Sequence, residues 1–197
     1  MGIQERLLSG RLSRASSADV MFEGPFGDDK RFAMSTDSVV ARLAALHQIL
    51  RGHVSQGQLR VGVLSNHRIE TYVSVLAASS FGATFVPLNP KFPVERLRTI
   101  IELSAPHVIF GDRSTVDIHA SVAPNVPFID VAGVEPNLRL LEGWARHLAD
   151  SSVDVDSVAY VMFTSGSTGA PKGVPVSYGN LSSYVDGVTE LIDFPNE

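Results

Sequence analysis

Val158-Ala-Tyr-Val-Met-Phe-Thr-Ser-Gly-Ser-Thr-Gly-Ala-Pro-Lys-Gly173 decides how this chain reads. Its first six residues are an unbroken apolar run. Strands covered on both faces look like this, as in parallel sheets. Four earlier runs have the same character: Arg60–Ser65, Ala83–Leu88, His107–Gly111 and Val126–Val131. Between the runs the period becomes helical. Val39, Leu43, Leu46 and Leu50 share one helical face, and so do Ile69, Tyr72, Val73 and Leu76. Val94, Leu97, Ile100 and Ile101 follow Pro93, which suits a helix start because its missing N–H costs nothing there. Leu138, Leu141, Ala145 and Leu148 form a further stripe, with Trp144 expected to pack a 137–149 helix on the sheet. The last stripe is Leu181, Tyr184, Val185, Val188 and Leu191, with Ser177 as its expected N-cap. Strand and helix alternating at these intervals predict an α/β fold: a mostly parallel twisted sheet with helices on both faces. Gly111–Asn125 reads as loop and short helix, and residues 150–157 as a surface connection.

The second half of the opening stretch is built for contact with an anion. Gly166 and Gly169 lack Cβ atoms and allow the backbone to turn sharply and approach a ligand. Thr164, Ser165, Ser167 and Thr168 place four hydroxyls beside exposed N–H groups, as phosphate nests do. Pro171 stiffens the chain before Lys172, a compact cation suited to a polyphosphate. The whole follows the carboxyl end of a predicted strand, where open α/β sheets bind ligands, and is expected to lead into the last helix.

Three sharper motifs fail. A Walker A loop requires Gly-Lys-Ser/Thr, whereas Lys172 lies between Pro171 and Gly173. A nucleophile elbow needs Gly two residues before its Ser, but Ser165 stands there before Ser167, and all six His residues precede Ser165. A dinucleotide Gly-x-Gly-x-x-Gly is broken at Thr164 and Thr168.

Composition narrows the classes further. With 197 residues and 44% hydrophobic content the chain can bury a substantial core, so disorder is excluded as the main state. Its formal charge of -5 argues against non-specific nucleic-acid binding, which needs clustered Lys and Arg. Only Lys30, Lys91 and Lys172 are lysines, so each position carries information. The absence of Cys excludes disulfides, a thiolate nucleophile and a thiolate metal site. No run reaches the length of a membrane span, and a cytoplasmic protein without a membrane partner is expected. The His residues lack metal spacing, and no metal ligand is assigned. Asn66 and His67, after the first apolar run, are candidates for a supporting role near the site, and Asp112 for capping the segment that follows it.

Ala159 to Val174 closely resembles the phosphate-loop signature of the adenylate-forming (AMP-binding) enzymes, which include acyl-CoA synthetases, luciferases and the adenylation domains of nonribosomal peptide synthetases. Leu76 to Leu97 resembles the upstream motif of that superfamily, a Gly-Ala-x-x-Val-Pro-Leu strand leading to a Pro-x-Glu-Arg-Leu helix, and Met34 to Leu50 matches the first motif more loosely. Phe92–Leu97 and Val174–Leu181 are more similar to amino-acid-activating members, the D-alanine-activating ligases and free-standing adenylation domains, than to fatty acyl ones. Many relatives have His where this chain has Tyr178.

The resemblance implies a ligase in which a carboxylate, here an amino acid, attacks the α-phosphorus of ATP to give an acyl-adenylate and pyrophosphate. The acyl group then passes to CoA or to the phosphopantetheine arm of a carrier protein. Thr164, Ser165, Gly166, Ser167, Thr168, Gly169 and Lys172 would hold the β,γ-phosphates, with Lys172 as the catalytic cation and Thr164 and Ser165 as the nearest hydroxyls. Mg²⁺ is implied as counter-ion. The later motifs of the superfamily, which shape the substrate pocket, bind ribose and supply a C-terminal Lys, are not found before Glu197. Residues 1–197 are therefore expected to be a partial N-terminal adenylation domain that needs its remainder and is inactive alone. An acyl-CoA synthetase fragment and a non-catalytic nucleotide-binding module are the alternatives.

Overall fold

The computed structural model describes residues 20–25, 31–54, 57–66, 68–144, 153–165 and 170–191. Strands β1 (Val20–Pro25) and β2 (Arg31–Ser35) pair antiparallel as a separate ribbon, which no apolar run in the sequence announces. The main sheet holds β3 (Arg60–Leu64), β4 (Thr84–Leu88), β5 (Val108–Gly111), β6 (Phe128–Asp130), β7 (Val158–Ser165) and β8 (Pro171–Ser177). Its spatial order is β6-β5-β3-β4-β7-β8. Strands β3 to β7 run parallel, each within two residues of its sequence-predicted run, and β8 alone is antiparallel, against β7.

That last pairing corrects one expectation. The sequence reading leads from the phosphate-type loop straight into a helix, whereas β8 intervenes and the loop becomes the tip of a β-hairpin. Proline hid the strand: Pro171 and Pro175 lie in it, and prolines are tolerated in sheets chiefly on an edge, which is where β8 sits.

Two apolar cores lie on opposite faces of the sheet, as the doubly covered strands require. Helices α1 (Thr36–Arg51) and α2 (Ile69–Phe81) bury Val39, Leu43, Leu46, Leu50, Ile69 and Val73 on one face, against Val61, Val108 and Phe110. Helices α3 (Val94–Ser104) and α4 (Val116–Val122) bury Leu97, Ile100, Ile101 and Val122 on the other, against Leu64, Val86 and Ile109. Residues on alternate sides of each strand thus serve different cores. Among the described residues, four of the apolar stripes are nonetheless exposed: Tyr72, Val94, Leu138 and Tyr184. In α2 the buried ridge runs through Ile69, Val73 and Ala77, four residues apart, which turns Tyr72 to the flank.

Local signals set the boundaries. Ser35 caps α1 by accepting the N–H of Ser38. Gly82, at φ 78°, ends α2 in the left-handed conformation that glycine adopts without strain. Asp112 caps the 3-10 turn Arg113–Thr115, as expected. The expected 137–149 helix is a 3-10 turn at Leu138–Leu140 continuing helically to Trp144, and positions 145–149 lie outside the described residues. Trp144 is buried in the α1/α2-side core, its indole edge-on to the His47 ring of α1 at 5.9 Å. Ser177 caps α5 (Tyr178–Leu191) as predicted: its Oγ accepts the Asn180 N–H while the Asn180 side chain accepts the Ser177 N–H. Among the described residues no helix is long and apolar enough to cross a membrane.

Candidate functional site

The hairpin of β7 and β8 carries the residues that the sequence singles out. Phe163 pairs with Gly173, Thr164 with Lys172 and Ser165 with Pro171, so β7 continues two residues beyond its apolar run. Directly opposed antiparallel residues project to the same side. Thr164 and Lys172 therefore stand together on the α1/α2 face at the far end of the hairpin, and both are exposed. Ser165, next along the strand, falls on the other face and is exposed as well. Gly166, Ser167, Thr168 and Gly169 lie outside the described residues, between Ser165 and Ala170.

Gly173 has a different task from the one that a phosphate loop suggests. A Cβ there would meet Val161 Cγ1 at 3.1 Å and Phe163 Cζ at 3.2 Å. Its missing side chain lets β8 lie close against β7 on the α3 face. Beyond it an open groove of about 730 Å³ runs between the hairpin and the C-terminal part of α3, lined by Leu103, Ser104, Phe163, Ala170, Pro171 and Lys172, among others. The described residues that flank the bend, Thr164, Ser165, Ala170 and Lys172, are thus exposed rather than buried against the sheet.

The hairpin is tied down at its other end by Tyr178, the first residue of α5. Its side chain is fully buried, and its hydroxyl donates to the carbonyls of Ala83 at 2.8 Å and Ser79 at 3.2 Å. Burial holds its phenol pKa well above the ordinary value, so it remains a donor. Tyr178 is thus a structural anchor joining the exit of β8 to the end of α2.

A second polar group lies at β3, with β4 between it and β7; the sequence marks Asp112 as a cap but not as a link to Ser65 and Thr71. At the carboxyl end of β3, Ser65 Oγ donates to Asp112 Oδ2 at 3.1 Å and accepts from Thr71 Oγ1 at 2.8 Å. Asp112 also accepts the N–H of Ser114 at 2.8 Å and the hydroxyl of Ser114. The only signal in the sequence is that polar residues follow two neighbouring strands. Asn66 is half-buried at the same edge, and His67 lies outside the described residues.

Exposed hydroxyls and a lysine at a hairpin tip can bind a polyanion, and the chain as a whole is similar to known proteins. A family model described as "AMP-binding enzyme" matches residues 29–195. The chain is 33% identical over 138 residues to syringomycin synthase SyrB1 of Pseudomonas syringae pv. syringae, covering 68% of this chain and 21% of that protein. It is 32% identical over 134 residues to the hybrid PKS-NRPS synthetase LUC5 of a Fusarium species, covering 68% of this chain and 3% of the relative. The chain thus spans about a fifth or less of these relatives. Among solved structures it is similar to the four-domain nonribosomal peptide synthetase AB3403 bound to AMP and glycine, at TM-score 0.66 and 28% identity, over 80% of this chain and 11% of that one. A fatty acyl-adenylate ligase from L. pneumophila, in complex with acyl adenylate and pyrophosphate, superposes over 99% of this chain and 33% of its own at TM-score 0.74. At 19% identity that likeness speaks for the fold.

Proposed function

Because the chain belongs to the AMP-binding enzyme family, we propose that it supplies the phosphate-gripping part of an adenylate-forming ligase whose carboxylate substrate is an amino acid. In such a reaction a carboxylate oxygen forms a bond to the α-phosphorus of ATP, and the bond from that phosphorus to pyrophosphate breaks. The protein's task is positioning and charge neutralisation rather than covalent chemistry. Lys172 would meet the charge of the β,γ-phosphates and of the departing pyrophosphate. Thr164 beside it, with Ser165, Ser167 and Thr168, would donate hydroxyls, and Gly166 and Gly169 would let backbone N–H groups come close. The observation that carries this reading is the opposition of Thr164 and Lys172, both exposed at a hairpin tip.

The amino-acid assignment is supported by the nonribosomal peptide synthetases among the relatives, one of whose structures holds AMP and glycine. The acceptor in this reading is a thiol, on CoA or on a carrier protein, and the setting is the cytoplasm. ATP suits the hydroxyl-and-lysine donor set. Mg²⁺ is proposed as the counter-ion of the triphosphate; among the described residues no cluster of three His, Asp or Glu side chains could hold a metal ion, and no step is assigned to one. The chain is proposed to act as a partial domain, inactive without the remainder that holds the substrate.

ATP–pyrophosphate exchange in the chain joined to the rest of an adenylation domain tests the reading. Lys172→Ala should lose about 1.5–3 kcal/mol of charge-assisted contact, roughly ten- to a hundredfold in rate. An unchanged rate removes Lys172 from the site. Exchange supported by fatty acids and not by any amino acid would move the substrate to the acyl class.

A further inference from the structure

Beside the hairpin, at the carboxyl ends of β3, β4 and β7, lies a second cavity of about 270 Å³. Its walls are apolar for the most part, including Val63, Val75, Phe92 and Met162, and three polar residues interrupt them: Ser65, Thr71 and Asn89. We propose that this cavity binds a ring-sized neutral group carrying a hydrogen-bond donor, such as a hydroxyl or an amide, and rejects anions.

The argument follows the protons. Asp112 is only 3% exposed and accepts from Ser65, from the Ser114 N–H and from the Ser114 hydroxyl, so it serves as an acceptor only. The proton of Ser65 is therefore committed to Asp112, and Ser65 Oγ in turn takes the proton of Thr71. Thr71 lines the cavity with lone pairs and no hydrogen to give, backed by a buried negative charge. Asn89 supplies the opposite polarity. Its Oδ1 accepts the Lys91 N–H at 2.9 Å, which leaves the amide nitrogen to donate. One acceptor and one donor in an apolar wall match a group that both gives and takes a hydrogen bond. A carboxylate or phosphate meets an oxygen that has nothing to offer it, close to a like charge in a poorly screened place. Arg96, whose guanidinium lies 4.3 Å from the Phe92 ring centroid, is not part of the lining.

The location differs from the one that the strand order alone would suggest. Chain connections leave β3 in one direction to β4 and then cross back to β5, so the order reverses between β3 and β5, where open α/β sheets usually leave a crevice. Here the Ser65–Asp112 bond bridges the ends of those two strands, and the open space lies on the other side of β3. The proposal does not depend on nucleotide binding at the hairpin.

The test is amide-resolved NMR on the full 197-residue chain, titrated separately with phenol, toluene and benzoate at pH 7. Saturable shifts at Thr71 and Asn89 are expected with phenol, at least tenfold tighter than with benzoate. Thr71→Val keeps the shape and removes the acceptor, and should weaken phenol about fivefold while leaving toluene unchanged. Ser65→Ala frees the Thr71 proton to point inward, and should narrow or reverse the preference of phenol over benzoate; it also decides the matter should Thr71→Val fail to fold. Equal affinity for benzoate and phenol, absence of saturable shifts at these amides, or indifference of phenol to the Thr71 and Ser65 changes would each overturn the proposal.

Discussion

Tyr178 shows how one side chain can fix an element that carries chemistry at its other end. It lies six residues past Lys172, where β8 has finished and α5 begins, and its phenol is buried completely between α2 and the start of β4. Both hydroxyl contacts are to backbone carbonyls, so Tyr178→Phe removes a donor without changing shape and leaves Ala83 O short of a partner. The expected loss is about 1–2 kcal/mol of stability in urea unfolding. The same residue sets a pH dependence. Its native pKa is raised by burial, while the unfolded phenol titrates near ~10. Above that pH the unfolded state sheds a proton that the native state keeps. The Tyr178 contribution is therefore intact below pH ~10 and shrinks by up to about 1.4 kcal/mol per pH unit above it. Chemical denaturation at pH 9 and pH 11 should show a steeper alkaline loss in the parent than in Tyr178→Phe. Parallel losses would mean that the phenol ionises as easily in the fold as out of it. None of this is legible in the sequence, where a Tyr at the start of a helix looks the same whether it faces a ligand or a pair of carbonyls.

At the scale of elements, the hairpin is defined by what its edge strand lacks. Pro171 and Pro175, four residues apart, each remove an N–H donor from β8, which discourages pairing with a further strand, and Gly173 between them removes a side chain. Gly173→Val would press a branched side chain against Val161 and Phe163, which already stand 3.1–3.3 Å from where its Cβ would be. About 1–3 kcal/mol should be lost, with hydrogen exchange accelerating first in β7 and β8. If the variant instead unfolds as one cooperative unit with unchanged local exchange, the close approach is not what limits the hairpin. Asp112 offers a comparison away from the hairpin: Asp112→Ala removes the cap of the Arg113–Thr115 turn together with the acceptor for Ser65, and should lower the melting temperature by several degrees. These elements also show what sequence patterning can and cannot reach. The five parallel strands are readable because burial on both faces writes an unbroken apolar run, as in Val61–Leu64. Strand β8 is not, because an edge strand with two prolines and a glycine has the composition of a loop. The β1–β2 ribbon, whose Met34 reaches into the α1/α2-side core, has no such run either. The composition of the phosphate-type loop is legible from Thr164 to Lys172, but its setting in a hairpin rather than ahead of a helix depends on that hidden strand.

On the scale of the whole molecule, coverage of the sheet is uneven. Helices α1 and α2 bury the β5-β3-β4 part of their face, but among the described residues that face is less covered toward β7 and β8. Tyr160 stacks on Phe85 at 5.3 Å, and beyond it Met162 and Val174, directly paired across the hairpin, are 48% and 43% exposed. The apolar strip ends at Thr164 and Lys172, so whatever covers it also walls the proposed phosphate site. Single exposed apolar residues are ordinary in soluble proteins, but a contiguous strip leading to a site is the kind of surface that a further domain or a partner covers. If the remainder of an adenylation domain packs there, the chain by itself should self-associate through the strip, and joining it to that remainder should abolish the association. Sedimentation velocity at increasing concentration provides the measurement. Met162→Ser with Val174→Thr should shift the isolated chain toward monomer while changing its urea midpoint little, because both side chains are already half in water. A monomeric parent chain at high micromolar concentration, or a double variant that associates as strongly as the parent, would show that the strip is not an interface. The uneven cover of the sheet would then have to be explained by the hairpin alone, whose antiparallel pairing extends past the reach of the helices that bury its parallel neighbours.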